Sequence, residues 1–283
     1  MKQLSFYLMS VFFLFMGMDG LNAETIKGNG KIVTKEIDVR DFNGIMVSVP
    51  ATVNYTQSDQ YSCTITMDEN LIQFIGFKVV GDDLRIKQLP SKDGKPLLSF
   101  SIGEKDVTLP NYQFPTLQFT KFEINISAPK LEDVVFSGSG MFIFVNDFSD
   151  FKLDVNLNGS GQIKAEQEVK ISKLDINVTG SGSVAFGQMS CNEVDVTVSG
   201  SGSATVRGNS FIDLDLILLG SGNIKIEGEA KNAKTKIAGS GNINIGNVSN
   251  SLKYDIAGSG NVYYSGDAEI RGFTAGSGTI QKK

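Results

Sequence analysis

An all-β fold, a single-chain β-solenoid or β-superhelix with coils of about 20 residues, follows from a tripeptide, its period and the alternation around it. Gly-Ser-Gly occurs eight times. Its outer glycines are Gly138 and Gly140, Gly159 and Gly161, Gly180 and Gly182, Gly200 and Gly202, Gly220 and Gly222, Gly239 and Gly241, Gly258 and Gly260, and Gly276 and Gly278. Successive first glycines are 21, 21, 20, 20, 19, 19 and 18 residues apart, too far for a hairpin arm and too close for a helical pair. Before the turns, Leu153, Val155 and Leu157, then Leu174, Ile176 and Val178, then Val194, Val196 and Val198, then Leu214, Leu216 and Leu218 alternate with polar residues. After the turns the same phase resumes, as in Ile163 and Ala165 or Val184 and Phe186. Period-2 alternation is the mark of a strand with one buried face.

Residues 1–23 read as a signal peptide: Lys2, an apolar run over 8–16, and a cleavage position after Ala23. The run is too short to favour a membrane span, so an exported chain is expected, periplasmic, outer-membrane-associated or extracellular. The reading gives no transmembrane segment after signal removal. Residues 24–130 are expected to form degenerate coils of the same domain, starting near Gly28-Asn29-Gly30. Within them FNGIMVSVPATVNY, from Phe42 to Tyr55, fits the template if Val49-Pro50-Ala51 takes the turn. Residues 90–118 break the rhythm with Pro90, Pro96, Pro110 and Pro115, and read as an excursion from the solenoid. Residues 131–283 hold the regular repeat. Each coil there has room for two strands of about 6 residues and two corners. At its end Ile270, Gly272 and Thr274 replace the aliphatic triplet, as in a terminal cap.

Composition limits the chemistry. The chain has no histidine, which removes Ser-His-Asp and Cys-His triads and HExxH zinc sites together. A net charge of −5 gives no footprint for nucleic acid. Of the two cysteines, Cys63 alternates inward with Tyr61, Ile65 and Met67, which reads as a buried free thiol; pairing with Cys191 is left open.

The opening FNGIMVSVPATVNYTQ, the GDDLRI at 81–86, the APKLEDVVFSGSG at 128–140 and the serial turns resemble the Bacteroidetes family of auto-transporter adhesins with a head GIN domain. The resemblance implies a right-handed β-superhelix and a role in cell adhesion, with no catalytic residues to carry over. The excursion and Val49, in place of a glycine, depart from the pattern.

Stacked coils turn equivalent positions into surface ladders. Five residues before each first glycine stand Asp133, Asp154, Asp175, Asp195 and Asp215, then Lys234, Lys253 and Arg271. Two residues upstream, Lys152 and Lys173 offset Asp154 and Asp175, whereas Glu193 and Asp213 add charge beside Asp195 and Asp215. Glu193, Asp195, Asp213 and Asp215 are therefore the expected cation site, with hard oxygen ligands suited to weak Ca²⁺ binding on an otherwise solvated face; no other cofactor is expected. The turn serines have no base to activate them, and Asn223, Asn242 and Asn261 are expected to stack as a structural amide ladder.

The expected function is an exported, non-enzymatic adhesion or binding module that presents repetitive faces to a cell-surface protein or glycan. The alternatives are a β-helix polysaccharide lyase or hydrolase and a passive envelope scaffold. Fold analogy does not separate them, and self-association stays open.

Overall fold

The computed structural model describes residues 25–90, 96–102, 105–110 and 114–283; the expected signal peptide lies outside the described residues. The chain divides into two compact units. The smaller contains the hairpin of Pro96–Ile102 with antiparallel Lys105–Pro110, and Thr25–Lys27 running parallel to Thr116–Gln118. The proline-bearing excursion thus has strand structure of its own. The larger unit, residues 28–89 with 119–283, is a β-solenoid of about eight turns.

In the larger unit each coil lies parallel to the next, and the turns set the register. Gly138, Gly159, Gly180, Gly200, Gly220, Gly239, Gly258 and Gly276 pair in an unbroken line. Their φ values run from 114° to 139°, a region open to glycine and strained for other residues. The third glycine of each turn has a different reason. A Cβ on Gly202 would sit 2.7 Å from Gly182 O and 2.8 Å from Val178 Cγ1. Between these glycines, the carbonyl of one first glycine accepts two N–H groups of the next coil, as Ser201 and Gly202 donate to Gly180 at 3.0 and 2.9 Å. The serine side chains play no part in that pairing and point to solvent.

Alternation then fixes what is inside. Leu84, Ile45, Val134, Val155, Ile176, Val196 and Leu216 stack in register as one inward column, each 0 or 1% exposed. Thr235 continues it, buried, with its hydroxyl donating to Lys253 O at 3.4 Å. Aromatic rings fill the earlier coils: Tyr55, Phe142, Phe144, Phe148 and Phe186 meet edge-on, tilted or stacked at centroid distances of 5.3–6.4 Å. Tyr55 donates its hydroxyl to Ala128 O at 3.1 Å, and burial pushes its pKa up.

Two features differ from the sequence reading. The side of the coil after the turn is not one straight strand; register shifts at Ala165/Glu168, Phe186/Met189, Arg207/Ser210 and Ile226/Glu229 bend it. A second glycine line, Gly187, Gly208, Gly228 and Gly246, marks those bends, because Gly208 O and Gly228 O leave no space for a Cβ on the glycine of the following coil. The N-terminal part is also not a simple series of coils. Gly44–Ser48 lies parallel between Asp83–Gln88 and Asp133–Gly138, while Thr52–Gln57 lies parallel between Phe122–Ala128 and Met141–Phe144. Val49-Pro50-Ala51 does take the turn, and Ala51 O accepts Met141 N at 3.0 Å. Outside these coils, Ile75–Val80, Ser62–Asp68 and Ile32–Glu36 run antiparallel, so no coil starts at Gly28-Asn29-Gly30. Buried Asp68 fastens that end by accepting Gly30 N at 2.9 Å and Thr120 N at 2.8 Å. At the other end, Thr274 lies in register on Ile256, which is 1% exposed, while Thr274 and Gly272 are themselves exposed, as the terminal cap read from the sequence requires.

Two outcomes test this packing. Gly200→Val meets both a φ of 119° and Gly180 O at 2.6 Å from the added Cβ, so chemical denaturation should show a loss above about 1 kcal/mol. Leu216→Ala, at a fully buried site, should cost about 2–5 kcal/mol in the same measurement, and a loss below about 0.5 kcal/mol would contradict the inward column.

Candidate functional site

Because every second residue before a turn is buried, the intervening ones form a flat outward face. Its central column is the expected charge ladder, in register throughout: Asp133, Asp154, Asp175, Asp195, Asp215, Lys234, Lys253, Arg271. The column two residues upstream runs Lys152, Lys173, Glu193, Asp213, Asn232, Ser251, Glu269. Glu193, Asp195, Asp213 and Asp215 do come together, beside Lys234 and Lys253 around a shallow, open depression of about 550 Å³.

These carboxylates are already engaged by cations and amides of the chain. Lys173 Nζ lies 2.6 Å from Glu193 Oε1, 2.8 Å from Asp195 Oδ2 and 3.8 Å from Asp175 Oδ1. From the other side Lys234 Nζ reaches Asp215 Oδ2 at 3.0 Å, and Asn232 Nδ2 donates to Asp213 Oδ1 at 2.9 Å. This corrects the expectation that Lys173 offsets Asp175 and leaves Glu193 and Asp195 uncompensated. Among the described residues no group of three or more His, Cys, Asp or Glu is arranged to hold a metal ion. The physical reason is reach: a lysine side chain is longer than the spacing of about 4.8 Å between coils, so Lys173 serves the coil beyond its own.

Stacking like charges has an electrostatic cost that falls on Asp175. Partial burial and hydrogen bonds shared with Asp154 and Asp195 push its carboxyl up to about 6, against the pull of Lys173. Asp133 is raised as well, through burial and the neighbouring Asp154. Neither thiol is a candidate nucleophile. Cys63 and Cys191 are free and buried, and burial pushes them up to about 12 and about 11.

The face after the turn carries uncharged donors and acceptors instead. Gln162, Ser183, Ser203, Asn223, Asn242, Asn261 and Thr279 form one register-aligned outward column. The expected amide stacking is present where Asn261 Nδ2 donates to Asn242 Oδ1 at 3.1 Å, and Thr279 Oγ1 caps it by donating to Asn261 Oδ1 at 2.8 Å. None of these side chains is fully buried. The sequence reading picked out the three asparagines and passed over the rest of the column, although a polar residue directly after every later Gly-Ser-Gly was there to be read.

The family model described as "Putative auto-transporter adhesin, head GIN domain" matches residues 41–210 and 153–268. Among solved structures, a "putative lipid binding protein" from Parabacteroides distasonis is 29% identical, with a TM-score of 0.82 over 92% of this chain and 100% of that one. A "putative adhesin" from Parabacteroides merdae is 26% identical, with a TM-score of 0.74 over 92% and 100% of the two chains. A further "putative adhesin" from Bacteroides fragilis, 22% identical with a TM-score of 0.59 over 91% of this chain and 100% of that one, shares the fold. A comparison with curated proteins finds no match.

The raised Asp175 carries a signed prediction. With a native pKa of about 6 against the ordinary 3.8, the folded chain holds more protons than the unfolded one between those values. Its contribution to stability is therefore complete below about pH 4 and lost as pH rises through about 6. Asp175→Asn should remove that slope and raise stability at pH 7 by about 1 kcal/mol after allowance for solvent screening, read as the difference between the two proteins in denaturant titrations at pH 4 and 7.

Proposed function

The chain belongs to the family of auto-transporter adhesins with a head GIN domain, and from that premise we propose that it is an exported, non-enzymatic module that binds a cell-surface glycan through the amide and hydroxyl face. The observation that carries this reading is the seven-residue column from Gln162 to Thr279, which repeats neutral hydrogen-bonding groups at the coil spacing of about 4.8 Å. Sugar hydroxyls are donors and acceptors without charge, and amide and hydroxyl side chains offer both. Repetition compensates for the weakness of each bond, since neighbouring coils are held at fixed distance and add contacts without further ordering cost. Export is supported by the Lys2-led apolar segment. Among the described residues no helix is long and apolar enough to cross a membrane.

One observation favours the polysaccharide-cleaving alternative: Asp175, raised to about 6 between Asp154 and Asp195, resembles the acid member of a catalytic carboxylate pair. The same test includes it. A glycan array, a reducing-end release assay on the bound glycans and a flotation assay with phosphatidylethanolamine/phosphatidylglycerol vesicles should give glycan binding without product release or vesicle association. Asn223→Ala with Asn242→Ala should then weaken binding about tenfold, two lost hydrogen bonds being worth about 1–3 kcal/mol, with the fold intact by circular dichroism. Product release abolished by Asp175→Asn would establish the enzyme instead, and vesicle flotation alone would move the reading to lipid.

A further inference from the structure

The charged face has a symmetry of its own. Its central column changes sign once, between Asp215 and Lys234, after a run of acids and before a run of bases. We propose that this face is the interface of an antiparallel homodimer, with a twofold axis along the strand direction at that boundary.

Turning a second copy end for end about this axis sets each column against itself in reverse order. Asp215 then faces Lys234 of the second copy, Asp195 faces its Lys253, and Asp175 faces its Arg271. In the upstream column Lys173 faces Glu269 of the second copy and Asp213 faces its Asn232. No like charges meet in either column over these coils. A parallel arrangement sets acidic coils on acidic coils and lacks this complementarity.

A second, independent feature marks the same boundary. The coil that contains Asp215 is unusual in presenting aliphatic side chains outward: Leu219 is 40% and Ile212 47% exposed, and Ile217 is half-buried on the ladder face. Leu219 pairs in register with exposed Ala238 of the next coil, so the twofold operation places Leu219 against Ala238 of the second copy, at the turn edge of the contact and level with the axis. Apolar groups at the boundary coil, with charged residues on the coils to either side, place the water-excluding contacts next to the axis. Six coils at about 4.8 Å and strands of about 8 residues at about 3.3 Å give a patch of roughly 750 Å² per copy, near the roughly 800 Å² of a standard interface. The ion pairs that Lys173 and Lys234 make within one chain are partly exposed and weak, so exchanging them across the interface costs little.

Sedimentation velocity of the purified chain from about 1 to 500 μM in low salt tests this, with a concentration-dependent dimer as the expected result. Lys253→Asp should weaken dimerisation about a hundredfold, because the twofold makes this contact twice and each loses an ion pair and gains a like-charge contact worth about tenfold. Asp195→Lys added to Lys253→Asp should restore it, because the two positions meet only across the interface and lie three coils apart within a chain. Lys253 is exposed and flanked by Lys234 and Arg271 in its column, so removing its charge does not threaten folding, which circular dichroism verifies. A monomer at every concentration overturns the proposal. So does a dimer indifferent to Lys253→Asp, or one lost and not restored by the charge exchange.

Discussion

The rest of the structure depends on the absence of a side chain at one edge. At each Gly-Ser-Gly turn the first glycine needs a positive φ and the third has a carbonyl of the preceding coil where a Cβ would be. Only glycine meets both demands, and meeting them lets one carbonyl accept two N–H groups from the coil above. Stacked turns of this kind admit one register, since a slip of one residue would move every glycine out of line and turn each apolar set outward. The inward aliphatic column, the charge ladder and the amide column are all consequences of that single alignment.

Alignment has an electrostatic consequence as well. A solenoid places identical positions about 4.8 Å apart, so a repeated aspartate becomes a row of like charges. Lys152 and Lys173 interleave with the row, and Asp175, between two acidic neighbours, takes up the remainder as a raised pKa. From Lys234 onward the sign reverses, and Lys234 closes the acidic run by pairing with Asp215. The ladder is thus a compromise between a register that the turns impose and the repulsion that the register creates.

Much of this was legible in the sequence where the glycines supplied the register. The eight turns, the burial of Val155, Ile176, Val196 and Leu216, and the order of the ladder from Asp133 to Arg271 are as read. Direction was not legible. Alternation in 62–68 and 75–80 marks strands, but period 2 is the same in parallel and antiparallel pairs, and the local turns that distinguish them carry no Gly-Ser-Gly. Side-chain reach was not legible either: Lys173 was assigned to Asp175 in its own coil, and its longest-reaching contacts are with Glu193 and Asp195. The bends at Gly187, Gly208, Gly228 and Gly246 were open to view as glycines seven or eight places after the first glycine of four successive turns, a weaker signal than a tripeptide and easily passed over.

The nesting of Gly44–Ser48 between strands that both come later in the chain gives folding two very different length scales. In the regular coils each pairing closes a loop of 18–21 residues. At the nested end, Asn43 and Glu132 must meet across 89 residues. Closing the longer loop costs only about 1.3 kcal/mol more in chain entropy. It also forces an order of events, because Gly44–Ser48 can take Asp83–Gln88 as one neighbour early but lacks the other, Asp133–Gly138, until the chain beyond residue 130 has been delivered. A polypeptide delivered amino end first therefore holds one strand edge open until its middle arrives, and from then on coils add one at a time in a single direction, like a zipper with a slow first tooth.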